Sequence, residues 1–231
     1  MSKAGSRDNL EAEMSFDPKT APKTAQKVDF KKDFKELYFP KQEPVLIDVP
    51  PMTFILIDGK GDPSNEEYQQ AIPLLYSLSY TIKMSGKGLP GYYDYTVFPL
   101  EGLWWIADGV FKFEILKREN WLWSSMMRQP DFVTAEVFRW AVDTVQEKKP
   151  ELDYTKLRLE TLTEGLCIQM MHVGPYATEP KTLDVMRAFI VQNGLSDVTG
   201  NIRKHHEIYL SDPRRTAPEK LRTVLRLPVD K

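Results

Sequence analysis

The 231-residue sequence has one cysteine, Cys167, so no internal disulfide can form and a reducing compartment is its natural setting. That cysteine lies in an apolar stretch, where a thiol reads as an inert packing group rather than a nucleophile. No apolar run reaches the roughly 18 residues a membrane span needs, and the amino-terminal residues lack the apolar segment of a secretory signal. A cytoplasmic protein with no membrane partner is expected. Lys and Arg (31) nearly cancel Asp and Glu (33), for a formal charge of −2. The basic excess of a nucleic-acid binder is therefore missing, and the pairs Arg214-Arg215 and Lys148-Lys149 read as solvated surface. Histidine is scarce too: His172, His205 and His206 beside one cysteine do not supply a structural zinc centre. His205 and His206 are adjacent in a strand-like run, so they point to opposite faces and cannot readily clamp one metal. No G-x-S-x-G elbow, phosphate-binding loop, dinucleotide fingerprint or H-E-x-x-H helix occurs. Neither a metal nor an organic cofactor is expected.

Residues 1–28 are polar and poor in large apolar groups, which predicts a mobile arm unable to offset its own ordering entropy. The body, 29–231, carries one pattern twice. Residues 45–58 have the β-branched density of a strand, and Ser64 with Glu67 has the spacing of a capping box. Tyr68, Ala71, Ile72, Leu75, Leu78 and Ile82 then recur at helical spacing, with Pro73 expected to kink the helix. Strand-like runs follow near Tyr93–Phe98 and Trp121–Met127. The second round has a strand at Leu166–Val173, a helix with Thr178 as candidate N-cap and Pro180 in its first turn, and strands at His205–Leu210 and Leu221–Leu227. A helix near 134–148, with Val137, Trp140, Ala141, Thr144 and Val145 on one face, joins the halves, about 45–130 and 160–229. The predicted fold is α+β: duplicated strand-helix-strand-strand modules, antiparallel sheet packed on helices.

Two features could carry chemistry. The first is an aromatic surplus near the strands: Tyr92, Tyr93, Tyr95, Trp104, Trp105, Trp121 and Trp123. Trp121 and Trp123 share a face, whereas Trp104 and Trp105 must face opposite ways, so these rings are either ordinary core or the wall of a groove. The second is His205, Glu207 and Tyr209, which share one strand face. Such a carboxylate is either on an exposed sheet face or ligand-facing, since burial is costly unless it is paired or does work.

Pro99–Trp105 (PLEGLWW), Met127–Thr134 (MRQPDFVT), Glu164–Tyr176 (EGLCIQMMHVGPY), His205–Pro213 (HHEIYLSDP) and Leu221–Pro228 (LRTVLRLP) together resemble the GyrI-like small-molecule-binding family. The resemblance implies two modules about a pseudo-twofold with a central ligand groove. It places an acidic residue in the groove at Glu207, with Tyr209 on the same face and Tyr176 of the G-P-Y turn at the edge. Trp104 or Trp105 would be a stacking wall, and Tyr68 or Tyr76 would complete the pocket, with Trp123, His172 and His205 beside it. The implied partner is a small organic ligand, planar aromatic or cationic; a homodimer is permitted. Some stand-alone members hydrolyse the cyclopropane ring of DNA-alkylating cytotoxins, which implies Glu207 as base, with Tyr209 or Tyr176 as hydroxyl donor, in a cofactor-independent detoxification. The alternatives are a sequestering or multidrug-sensing protein, or a protein-interaction module.

Overall fold

The computed structural model describes residues 27–107 and 118–231, so the expected arm at 1–28 lies almost wholly outside the described residues. Two single-turn helices, α1 (Phe30–Asp33) and α2 (Lys35–Tyr38), precede the strands β1 (Val45–Val49) and β2 (Met52–Lys60). Helix α3 (Glu66–Met84) follows, then β3 (Leu100–Trp105), β4 (Leu122–Arg128), α4 (Ala135–Lys148) and β5 (Leu157–Leu162). The chain ends with β6 (Gly165–Val173), α5 (Glu179–Gln192), β7 (Ser196–Asp197), β8 (His205–Tyr209) and β9 (Arg222–Asp230). The architecture is α+β. Strand, helix, strand, strand occurs as β2-α3-β3-β4 and again as β6-α5-β8-β9.

The sheet runs β1-β6-β9-β8-β3-β4-β2-β5, with β7 on β9, and these strand pairings are antiparallel. Its inner six strands read alike from either end, and the middle strand of each module, β3 or β8, meets the other at the centre. Two-residue links join β1 to β2 and β5 to β6, although each link connects strands from opposite halves of the order. At roughly 3.3–3.6 Å per residue such links cannot cross a flat sheet. The sheet must therefore curl until its ends approach.

Curling gives the two faces different work. One face carries α3, backed by α4, and α5. Leu74, Leu75, Leu78 and Ile82 bury the first module, and Leu183, Met186 and Ile190 cover Ile168, Met170, Leu225 and Leu227 in the second. The inward-curled face holds Phe54, Leu56, Leu103, Met126, Ile208 and Val224 around a buried polar network. Arg226 there donates to Glu164 (2.9 Å), Gln169 (3.0 Å) and the Leu37 carbonyl (2.6 Å), and Tyr38 donates to Glu101 (3.0 Å), which ties α2 to the sheet. His206 Nδ1 meets Glu164 at 2.9 Å, and its Nε2 lies 2.9 Å from Glu101 as an ion-pair contact rather than an aligned hydrogen bond. Burial disfavours both charges, but the pairing wins: Glu164 is held down to about 2 by His206 and Arg226, and His206 is raised to about 9 by Glu164 and Glu101.

Several local expectations change. The run 45–58 is broken by Pro50-Pro51 into β1 and β2, because a proline cannot donate to the ladder. The strand expected at Tyr93–Phe98 lies instead at Leu100–Trp105. Of the earlier run only Tyr95 makes a bridge, to Val28, while its rings pack on Phe132 and on α1 and α2. Asn65 rather than Ser64 caps α3, and neither Asn65 nor Thr178 makes a side-chain capping bond. Helix α3 runs on through Pro73. Thr134 does cap α4 through Val137 N–H, but Trp140 turns outward while Val137, Ala141 and Val145 are buried. Among the described residues no helix is long and apolar enough to cross a membrane.

Candidate functional site

The central strands β3 and β8 pair with Gly102 opposite Glu207 and Trp104 opposite His205. Side chains alternate along a strand, so Trp104, His205, Glu207 and Tyr209 share the helix-bearing face, flanked by Ser125 and Trp123 of β4 and by Thr223 and Leu225 of β9. This floor lies between α3 and α5. Tyr68 of α3 stands over it, 5.6 Å from the Trp104 ring and 5.0 Å, edge-on, from Trp123. Tyr176, in the turn before α5, contacts Tyr209 edge-on at 6.0 Å.

Hydrogen bonds order the floor. Trp104 Nε1 donates to Tyr209 Oη at 3.0 Å, and the Tyr209 hydroxyl donates to Glu207 Oε2 at 2.8 Å. His205 Nε2 lies 3.2 Å from Glu207 Oε1, and its Nδ1 lies 3.0 Å from the Arg226 carbonyl. Glycine makes room for this arrangement. A Cβ on Gly102 would stand 2.8 Å from Trp104 Nε1 and 3.0 Å from Tyr209 Oη, and one on Gly59 would overlap Trp123 at 2.1 Å. Burial and the Glu207 charge raise Tyr209 well above the ordinary phenol range and Tyr68 to about 12, so both hydroxyls keep their protons. Tyr176 is raised by burial, then by Glu179 and Glu207.

Glu179, the first residue of α5, is the member that sequence reasoning missed. It is 1% exposed, and burial followed by the Glu207 charge raises its carboxyl well above the carboxylate range; Thr223 opposes this only weakly. A helix amino terminus ordinarily stabilises an anion, but here desolvation and a like charge prevail. Among the described residues its Oε1 has no hydrogen-bond partner. Glu179 is thus a buried carboxyl that feels the charge of Glu207, which tyrosine and histidine anchor. An acidic residue after Pro175-Tyr176 is ordinary at a helix start, so no local signal marked it.

The other expected residues fall in varied places. Trp105 lies on the opposite face of β3, its ring 4.2 Å from Lys204 Nζ. Trp123 is fully buried beneath Tyr68 and supports the floor without lining it. Tyr76 is half-buried in the middle of α3, stacked on Tyr80, and burial followed by Tyr80 and Asp212 raises its pKa. His172 is tied to Thr182 at 2.8 Å and to the Pro175 carbonyl at 3.3 Å; it holds the Tyr176 turn, and burial lowers its pKa. Among the described residues no three His, Cys, Asp or Glu side chains gather as metal ligands would. A cavity of about 110 Å³ opens elsewhere, lined by Leu103, Glu164 and Arg203, on the face of the sheet away from Glu207.

Comparison with known proteins bears on the same residues. The model of the GyrI-like small molecule binding domain matches residues 129–230, which include Glu179, Glu207 and Tyr209. A structure of an uncharacterized conserved protein from Listeria innocua is 53% identical, with TM-score 0.83, over 88% of this chain and 100% of that one. A structure of a hydrolase from Listeria innocua is 51% identical, with TM-score 0.80, over 88% of this chain and all of that one. The EcmrR C-terminal domain, at 14% identity and TM-score 0.52 over 84% and 99% of the two chains, shares the fold alone. No curated protein matches the chain.

Proposed function

The chain belongs to the GyrI-like family of small-molecule-binding domains, and we propose that it draws a planar organic molecule into the groove between α3 and α5 and hydrolyses it. One observation carries the reading: Glu207 is anchored by Tyr209 and His205, and its charge adds to burial in raising the carboxyl of the 1% exposed Glu179. A base and an acid with environments this different suit the addition of water across a bond. Similarity to a protein called a hydrolase, over that protein's whole length, supports the same class.

The substrate class that fits is a strained cyclopropane conjugated to a dienone, as in DNA-alkylating cytotoxins. Water oxygen bonds to the ring carbon while Glu207 takes the water's proton. The breaking C–C pair flows into the dienone, and Glu179 protonates the resulting phenolate oxygen. Proton return from Glu207 to Glu179 restores the site, so the net change is the addition of one water. Tyr209 commits its proton to Glu207, which assigns it to positioning the base and gives Glu179 the donor role. Trp104, Tyr68 and Tyr176 hold the flat skeleton.

The test is incubation with a cyclopropane-bearing dienone, followed by mass spectrometry. Wild type should yield the product with one added water, and Glu207→Gln and Glu179→Gln should each lose most turnover. Unchanged compound that co-elutes with wild-type protein would replace hydrolysis by sequestration.

A further inference from the structure

The hydrogen-bond inventory of the groove floor decides its charge. A backbone carbonyl can only accept, so His205 Nδ1, 3.0 Å from the Arg226 oxygen, carries a proton. An indole N–H can only donate, so Tyr209 accepts from Trp104 and spends its own proton on Glu207 Oε2. The contact that bears on the pair's charge is His205 Nε2 to Glu207 Oε1, at 3.2 Å. With a neutral imidazole protonated on Nδ1 and an ionised carboxylate, two lone pairs would face each other. Both residues are buried, so bulk solvent screens that repulsion little. One additional proton removes it, either on Nε2 as an imidazolium–carboxylate pair or on Oε1 as a neutral pair. Either arrangement has no net charge.

We infer that His205 and Glu207 hold one proton between them, and that the groove therefore selects uncharged planar molecules bearing a hydrogen-bond acceptor over organic cations. The inference deepens the proposed function and rests on its placing the ligand in this groove. Among the described residues the groups nearest the pair are held toward their neutral forms, and the carboxylate of Asp212, whose charge reaches Tyr176, is paired with Arg214. Burial disfavours the charged form of Glu179 of α5, and Tyr68 of α3, Tyr209 of β8 and Tyr176 keep their hydroxyl protons. His172 of β6 is held toward its neutral form, and the side chains of Arg226 and His206 point to the other face of the sheet. A cation entering here would lose hydration without meeting a net negative charge. A carbonyl oxygen would meet the Glu179 acid. In the ion-paired form Glu207 remains a carboxylate, as the proposed hydrolysis requires. His205 is then a specificity-determining residue, the charge that cancels Glu207.

The experiment uses the full chain and two probes of one shape, uncharged 10-methylacridone and cationic 10-methylacridinium. Fluorescence titration of wild type should favour the acridone by at least about ten-fold. His205→Asn keeps a donor for the Arg226 carbonyl but cannot carry charge, so it should erase or reverse that preference. Tighter wild-type binding of the acridinium would overturn the selectivity. Imidazole ¹⁵N and carboxyl ¹³C NMR of the unliganded wild type decides the proton without any ligand and without a variant that must fold. Protonated Nδ1 with either protonated Nε2 or protonated Glu207 is the expected result; a neutral Nε2–H imidazole beside an ionised Glu207 would overturn it. If neither probe binds while NMR finds the shared proton, the groove assignment of the proposed function fails, and the selectivity claim that rests on it falls too.

Discussion

Replacing Gly102 by alanine tests whether the floor is built as tightly as its distances imply. The new Cβ would lie 2.8 Å from Trp104 Nε1 and 3.0 Å from Tyr209 Oη, so one ring must move by several tenths of an ångström. Trp104 has little room: it is 3% exposed, between Tyr68 at 5.6 Å and Trp121 at 5.7 Å. Tyr209, only partly buried, is the group that yields. Its departure breaks the bonds from Trp104 and to Glu207, leaving a buried indole N–H without its partner. An orphaned buried donor costs roughly 1–3 kcal/mol, while exchanging glycine for alanine in a strand returns roughly 0.5–1 kcal/mol. A net loss of about 1–2 kcal/mol is expected, which at a urea m-value of about 2–3 kcal/mol/M moves the unfolding midpoint down by about 0.5 M. Urea unfolding by circular dichroism measures this, with Tyr209→Phe and the double variant completing a cycle. Removing the hydroxyl removes one of the two close contacts, so Gly102→Ala should cost less when combined with Tyr209→Phe than in the wild type. An unchanged midpoint, or equal cost in both backgrounds, would refute the claim that Gly102 exists to admit the Trp104–Tyr209–Glu207 chain.

Other consequences are as direct. Gly59→Ala puts a Cβ 2.1 Å from the fully buried Trp123, so it should cost more than about 3 kcal/mol, beyond the usual range for overpacking, and soluble yield with a melting curve would show it. The inward-face network has a pH window. His206, raised to about 9, contributes stability that is complete below its unfolded value near 6.5 and lost as pH rises through 9. Glu164, lowered to about 2, contributes stability that is complete above 4.5 and lost as pH falls through 2. The melting temperature should therefore be highest between about pH 5 and 6.5, and Glu164→Gln should flatten the acid limb; an unaltered acid limb would separate Glu164 from acid unfolding. Cys167, buried and raised to about 12 by burial and then by Glu164, should resist thiol reagents in the native state and react on unfolding.

What was legible in the sequence follows from how local each signal is. The strands at 165–173, 205–209 and 222–230 and the helices α3, α4 and α5 announce themselves through apolar spacing, which depends on near neighbours only. The alternation that puts His205, Glu207 and Tyr209 on one face is equally local. Strand β3 was misplaced because Tyr93–Phe98 has the higher β propensity, yet pairing goes where a partner strand is, and β8 offers its ladder to Leu100–Trp104. Which of Trp104 and Trp105 joins Glu207 on the helix-bearing face needed that same register. Glu179 was invisible for a different reason: its carboxyl is notable only through its burial and the nearness of Glu207, 28 positions away in sequence (207 less 179), and neither leaves a trace in the residues around it.

The same register explains why the site and the inward-face network stand or fall together. On β8 the odd positions, His205, Glu207 and Tyr209, build the floor, while His206 between them is locked by Glu164 and Glu101 on the other face. A slip of one residue would put a histidine, an acid and a tyrosine where the sheet curls inward and move His206 into the groove. Arg226, which pairs with His206 across β9, holds Glu164 and the α2 carbonyl of Leu37 with its guanidinium and accepts from His205 with its backbone oxygen. One residue thus reaches the network through its side chain and the groove through its main chain. Replacing Arg226 by methionine would leave the partly buried Glu164 carboxylate with His206 as its remaining cation, a loss of up to about 3–5 kcal/mol, the cost of breaking a fully buried pair. Its carbonyl would still be available to His205. If enough folded protein survives at low temperature, ligand selectivity in the groove should persist while stability collapses. Selectivity lost in step with stability would show instead that the network sets the His205–Glu207 proton, and not only the register that brings them together.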